Sequence, residues 1–162
     1  MVTEYWLVAS WIAKVLLYIA TAISVGGSFS YLFLSKYADK KNSPLNKTMI
    51  NYMMVGAFVG ICASALGFLI QVGSYANTGW FGMFDPTFFK ILINTPVGAV
   101  QIVRAVCFFL IAVLLVIKYY KKSAAISYAS RLLMLLLLLG LVVSFSQVGH
   151  VTNLPIFIAL SQ

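Results

Sequence analysis

Polar residues cut this chain into long apolar stretches, and the spacing between cuts predicts its elements. Four stretches, 5–34, 49–75, 96–117 and 126–149, match the ~20 helical residues needed to cross a hydrocarbon core of roughly 30 Å. Transmembrane strands alternate apolar and polar positions, whereas residues 132–139 are apolar throughout. The pattern predicts an all-α fold, a polytopic transmembrane helical bundle of four spanning helices in a single domain over 1–162. The closing stretch, 154–162, is too short to span and is a candidate start of a further helix.

The polar positions inside the segments are periodic. In the second, Gly56, Gly60, Ser64 and Gly67 recur at helical spacing, a small-residue face of the kind that lets membrane helices approach closely. Gln71 is next on that stripe and is expected to point into the bundle. In the first, Trp11, Lys14, Tyr18 and Thr21 form a stripe. Lys14 lies ~13 Å below the start of its segment and Arg104 ~12 Å below the start of the third, at ~1.5 Å per residue. Gln101 shares the face of Arg104. Glu4, Gln71, Asn94 and Thr95 are expected to rim the same level.

The fourth segment runs into a polar island, Ser144-Phe-Ser-Gln-Val-Gly-His150-Val-Thr-Asn153, which contains the single histidine of the chain. Gln147, His150 and Asn153 fall at three-residue spacing, with Ser146 four before His150. An ionisable ring at the end of a membrane segment is a candidate functional group, although such a ring also serves as a hydrogen-bonded helix cap. Lysine and arginine near helix ends likewise snorkel to headgroups, but Lys14 and Arg104 are both deep and each shares a face with other polar residues.

The linkers differ in charge. The first carries Lys36, Lys40, Lys41 and Lys47; the third carries Lys118, Lys121, Lys122 and Arg131; the second has only Lys90 against Asp85. By the positive-inside rule, the first and third loops are cytoplasmic, while the N-terminus, the second loop and His150 face outward. The second loop mixes turn residues with Trp80, Phe81 and Phe84. Asp85 and Pro86 have the residue types of an N-cap and a first helical position, predicting a short interfacial helix over 87–93, either a half-buried lid or a simple anchor.

Composition supports a membrane chain: 62% of residues are hydrophobic and 9% charged, against ~25% charged in soluble domains. The net charge of +8 sits beside apolar segments, where it meets anionic lipid headgroups, so it is not read as nucleic-acid binding. Cys62 and Cys107 lie inside apolar segments and are poor evidence for a secreted disulfide framework. Glu4 near the start and Lys14 within the first apolar run argue against a cleaved signal peptide.

Imidazole, thiolate and thioether groups suit copper. The candidate metal ligands are His150 and Met83, with Cys62, Cys107, Met53 and Met54 as an inner path and Met49 at its end, although Cys and Met in apolar helices commonly serve packing alone. Arg104, Lys14, Gln147, Gln101, Gln71, Thr95 and Asn153 would surround the site as a polar pocket. The two cations repel a metal ion unless Glu4 or Asp85 compensates. One histidine excludes a bis-histidine haem within this chain alone. There is no phosphate-binding glycine loop and no Ser/His/Asp set, and the acidic residues are too few for carboxylate-pair catalysis, so no enzyme activity is expected.

The segment Asn94-Thr-Pro-Val-Gly98-Ala-Val-Gln-Ile-Val-Arg104 resembles the signature of the copper resistance D family of bacterial inner-membrane proteins, in the N-terminal half of its pattern. Gly67-Phe-Leu-Ile-Gln71-Val-Gly-Ser resembles the segment before it, Val148-Gly149-His150 the Gly-His-Ala motif, and Val25-Gly26-Gly27 the first-helix glycine pair. Each match is short, and the specificity lies in their order along the chain. The resemblance implies a multi-pass protein that moves or receives copper ions at the outer face of the inner membrane. It points to Arg104 and His150 as functional residues, with Thr95 and Gly98 shaping the entry to the third segment. Lys14 and Tyr18 stand where the family pattern places arginine and often histidine. Family members continue through further helices with another histidine, so a fragment, a short variant or one half of an assembly is expected. The implied partners are the bilayer and a periplasmic copper-binding protein or additional membrane subunit. Two other readings stay open: a non-transporting scaffold or assembly subunit whose cationic pocket holds a lipid headgroup, quinone or partner carboxylate, and a redox protein linked to haem or quinone.

Overall fold

A computed structural model describes residues 2–37, 44–76, 78–121 and 128–148. Among these residues every long element is helical: α1 (Val2–Tyr37), α2 (Pro44–Ala76), α3 (Pro86–Ile93), α4 (Pro96–Lys121) and α5 (Tyr128–Val148). A 3-10 turn, Gly79–Phe84, precedes α3 and opens on Gly79 at φ 74°, left-handed backbone that favours glycine.

Three helices are long and apolar enough to cross a membrane, over Glu4–Tyr31, Lys47–Ala76 and Pro96–Ile117. α5 adds a shorter described apolar stretch, Leu132–Phe145. The predicted segments coincide with α1, α2, α4 and α5. Residues 149–162, including the proposed start of a further helix, lie outside the described residues.

The helices pack in the order α1, α2, α4, α5, with α2 central and only slight contact between α1 and α5. Lipid tails are as apolar as the helices, so van der Waals fit and a few polar bonds do the joining. The small-residue face of α2 supplies that fit. A Cβ on Gly60 would lie 2.5 Å from the Phe108 ring, and one on Gly56 would strike Ile23. Side chains of α1 and α4, more than their backbones, fill these notches. The same device recurs where Gly27 receives Met53 and Gly73 receives Trp6.

Phe108 is fully buried in a core with Leu17, Ala57, Ile111 and Leu141, so its ring has little room to yield. Gly60→Ala is therefore expected to destabilise the bundle by about 1–2 kcal/mol, in the range of core overpacking. A titration of unfolding with sodium dodecyl sulfate in mixed micelles measures this, and an unchanged midpoint would remove Gly60 from the α2–α4 joint.

The α3 start follows the predicted capping. Asp85 accepts a hydrogen bond from the Thr87 N–H at 2.8 Å, with Pro86 in the first turn. At the other end of α3 the chain turns directly into α4. Thr95 Oγ1 donates to the Leu92 carbonyl at 2.7 Å and accepts from the Gly98 N–H at 3.1 Å. Asn94 Nδ2 donates to the Lys90 carbonyl at 2.9 Å. Gly98 presses against the Leu92 carbonyl so closely that a Cβ has no place there.

A cationic chamber between three helices

The polar faces of α1, α2 and α4 converge on a cavity of about 410 Å³. Ser10, Lys14, Gln71, Ser74, Gln101 and Arg104 supply its polar wall, and Trp6, Leu17, Tyr18, Ile70 and Phe145 line its apolar side. The equal depths inferred for Lys14 and Arg104 thus become a shared cavity, with Gln71 and Gln101 in it. Among the described residues, no carboxylate, histidine, cysteine or methionine lines it.

Arg104 ties the chamber to α5. It is 4% exposed. Its Nε donates to Ser144 Oγ at 3.0 Å and its Nη2 to the Ser144 carbonyl at 2.7 Å. The Ser144 hydroxyl in turn donates to the Leu141 carbonyl at 2.6 Å. The guanidinium lies 4.3 Å from the centre of the Phe145 ring, a cation–π distance. Phe145 also stacks on Tyr18 of α1 at 5.1 Å. This chain of contacts bridges α4, α5 and α1.

Residues 3–154 match the family described as Copper resistance protein D-like, N-terminal domain. The chain belongs to the copper resistance protein D-like family. No curated protein and no solved structure matches it. Family membership and the apolar helices make this a membrane protein of copper resistance.

Within that family setting, the expected site residues divide. Lys14, Gln71, Gln101 and Arg104 meet in the chamber. Thr95 does not line it, and instead caps the α3–α4 corner. Asn94 likewise serves that corner, and Glu4 is exposed. Trp11 is 64% exposed and also off the chamber. The side of α1 turned to α2 is marked by buried Trp6, Ala13, Leu17 and Ala20, and the 100° step between successive residues carries Trp11 away while Ser10 stays.

Met83 is half-buried against Trp6, Ala13 and Ile70 beside the chamber. The inner-path residues are dispersed: Cys62 is exposed on α2, Cys107 is buried on α4 near Gly140, and Met53 is buried under Gly27 with Met54 packed on the same core. Both cysteines are free. Among the described residues no three His, Cys, Asp or Glu side chains group closely enough to hold a metal ion. His150 and Asn153 lie outside the described residues, as does the side chain of Gln147.

Ser144 and Phe145, like Trp6, Ser10 and Ile70 on the chamber wall, are site residues that spacing along the sequence did not single out. The signal for Ser144 and Phe145 was their place as the first residues after the apolar run, but the partner of Ser144 is 40 residues away.

Proposed function

We propose that this chain handles copper as its cargo at the outer face of the bacterial inner membrane, receiving or moving the ion without catalytic turnover. The observation that carries the reading is the family match over 3–154, which takes in both Arg104 and the His150 motif. His150, supported by Gln147, is the proposed copper ligand, with Met83 as a softer auxiliary. Arg104 supports this role by tying α5 to α4 at Ser144, six positions before His150. Lys14 and Arg104 organise the polar chamber beneath.

The charge of the linkers supports an orientation with the N-terminus, the second loop and His150 on the periplasmic side, and the first and third loops in the cytoplasm. In this orientation α3 and the preceding turn form an interfacial lid. Trp80, Phe81 and Phe84 are 76%, 90% and 73% exposed, and such aromatics suit the headgroup level. A periplasmic copper-binding protein or a further membrane subunit is the proposed partner, and nucleic acid is not.

Copper analysis of the purified full chain tests this. Copper bound to the wild-type protein is expected to fall to background in His150→Ala. Equal copper in both would remove His150 from the site.

One observation favours a second reading. A cavity with two cations and no carboxylate among its described lining residues suits an anionic partner better than a bare metal ion. A membrane scaffold or assembly subunit would use it so. Arg104→Gln would then lower partner recovery while leaving the copper tolerance of cells unchanged.

A further inference from the structure

The chamber has a chemical bias that copper handling does not use. Arg104 is 4% exposed, yet its neighbours at Ser144 are neutral oxygens. Lys14 lines the same cavity, and among the described residues neither cation pairs with a carboxylate. A buried cation such as Arg104 is costly without an opposite charge, and Lys14, exposed on α1, borders the same cavity. Two cations bordering one cavity also repel each other, which an anion between them reverses.

The rest of the wall narrows the ligand. Gln101 has a buried Oε1 with no hydrogen-bond partner among the described residues, an acceptor that a ligand hydroxyl would satisfy. Trp6, Leu17 and Ile70 line the same cavity and add apolar surface to it. The cavity of about 410 Å³ falls within the ~300–1,000 Å³ usual for small-molecule sites. A quinone has no charge to answer Arg104, and a free inorganic anion would leave the apolar wall unused.

We propose that the chamber binds an amphipathic oxyanion, a carboxylate or phosphodiester carried on an apolar chain, with its anionic group held by Arg104 and Lys14. The apolar chain lies against Trp6, Leu17 and Ile70, and Gln101 accepts from a hydroxyl next to the anion. The inference takes from the scaffold reading only the charge of the chamber, and it stands whether or not the chain carries copper.

The test contains no copper and leaves Arg104 intact, because Arg104 also joins two helices. Native mass spectrometry of the purified full chain follows its binding of phosphatidylglycerol against phosphatidylcholine of equal chain length, and separately of decanoate. Wild type is expected to prefer an anion. Lys14→Gln should weaken that preference about fivefold, the size of one cation–headgroup contact. Gln101→Glu should abolish it, because the new carboxylate sits one turn from Arg104 on the same helix face and occupies the cation. Lys47→Gln, an exposed cation outside the chamber, should leave it unchanged. Circular dichroism confirms that each variant is folded before binding is compared. Preference for phosphatidylglycerol assigns the oxyanion to a lipid headgroup, and binding of decanoate alone assigns it to a free fatty carboxylate. Absence of any anion preference overturns the proposal, as does a preference that survives both chamber substitutions or is lost equally in Lys47→Gln.

Discussion

Gly98→Ala is expected to destabilise the bundle by about 2–3 kcal/mol, although alanine is ordinarily the better helix former by ~1 kcal/mol. The reversal comes from the α3–α4 corner. The added methyl group would meet the Leu92 carbonyl and approach Ile93 Cα at 3.1 Å. These are backbone atoms, so no rotamer change relieves the contact. The same Leu92 carbonyl accepts from Thr95 Oγ1, which itself accepts from the Gly98 N–H, so opening the corner breaks both bonds. Gly26 supplies the control, since a Cβ there meets nothing within 4 Å. Detergent unfolding should therefore show Gly26→Ala near or above wild type and Gly98→Ala far below. Equal midpoints would mean that the corner is not closed as described.

Arg104→Ala is expected to loosen α5 from the bundle at a cost of about 2 kcal/mol, combining two interhelical hydrogen bonds with a cation–π contact. The loss is local in origin. Ser144 keeps its own bond to the Leu141 carbonyl, so α5 stays helical while its attachment to α4 weakens. Arg104→Lys should recover little of the loss, because one ammonium group cannot reproduce the paired Nε and Nη2 donation. Hydrogen–deuterium exchange separates these effects: faster exchange across 132–145 with α2 unchanged is the expected result. Undisturbed protection of α5 in Arg104→Ala would show that Ser144 is not the anchor.

Much of the architecture was legible because lipid imposes it. With no water to satisfy backbone groups, a long apolar run in the bilayer has to be helical, and its length sets the span. Asp85 and Pro86 announced the start of α3 for an equally local reason, since a side-chain acceptor and a fixed φ act within a few residues. The stripe through Gly56, Gly60 and Ser64 foretold the face by which α2 packs, and Lys14 and Arg104 foretold a shared depth. Trp11 shows where such reading fails. Its spacing from Lys14 fits a polar stripe, but which side of α1 meets α2 is decided by how Trp6 and Leu17 pack against their neighbours.

The amino-acid sequence by itself determined a membrane helical bundle, the segments that build it, the capping of its short helix and the family to which it belongs. These follow from local chemistry and from apolar length, which each segment carries alone. Only the tertiary structure decided that Arg104 fastens on Ser144 and Phe145, that Thr95 caps the α3–α4 corner and stays off the chamber, and that Trp11 turns away from it. Those facts depend on the rotation of each helix about its axis. That rotation is set by which ring or side chain fits which glycine notch on the neighbouring helix; the periodicity within α2 marks its packing face but does not record which side chain fills each notch.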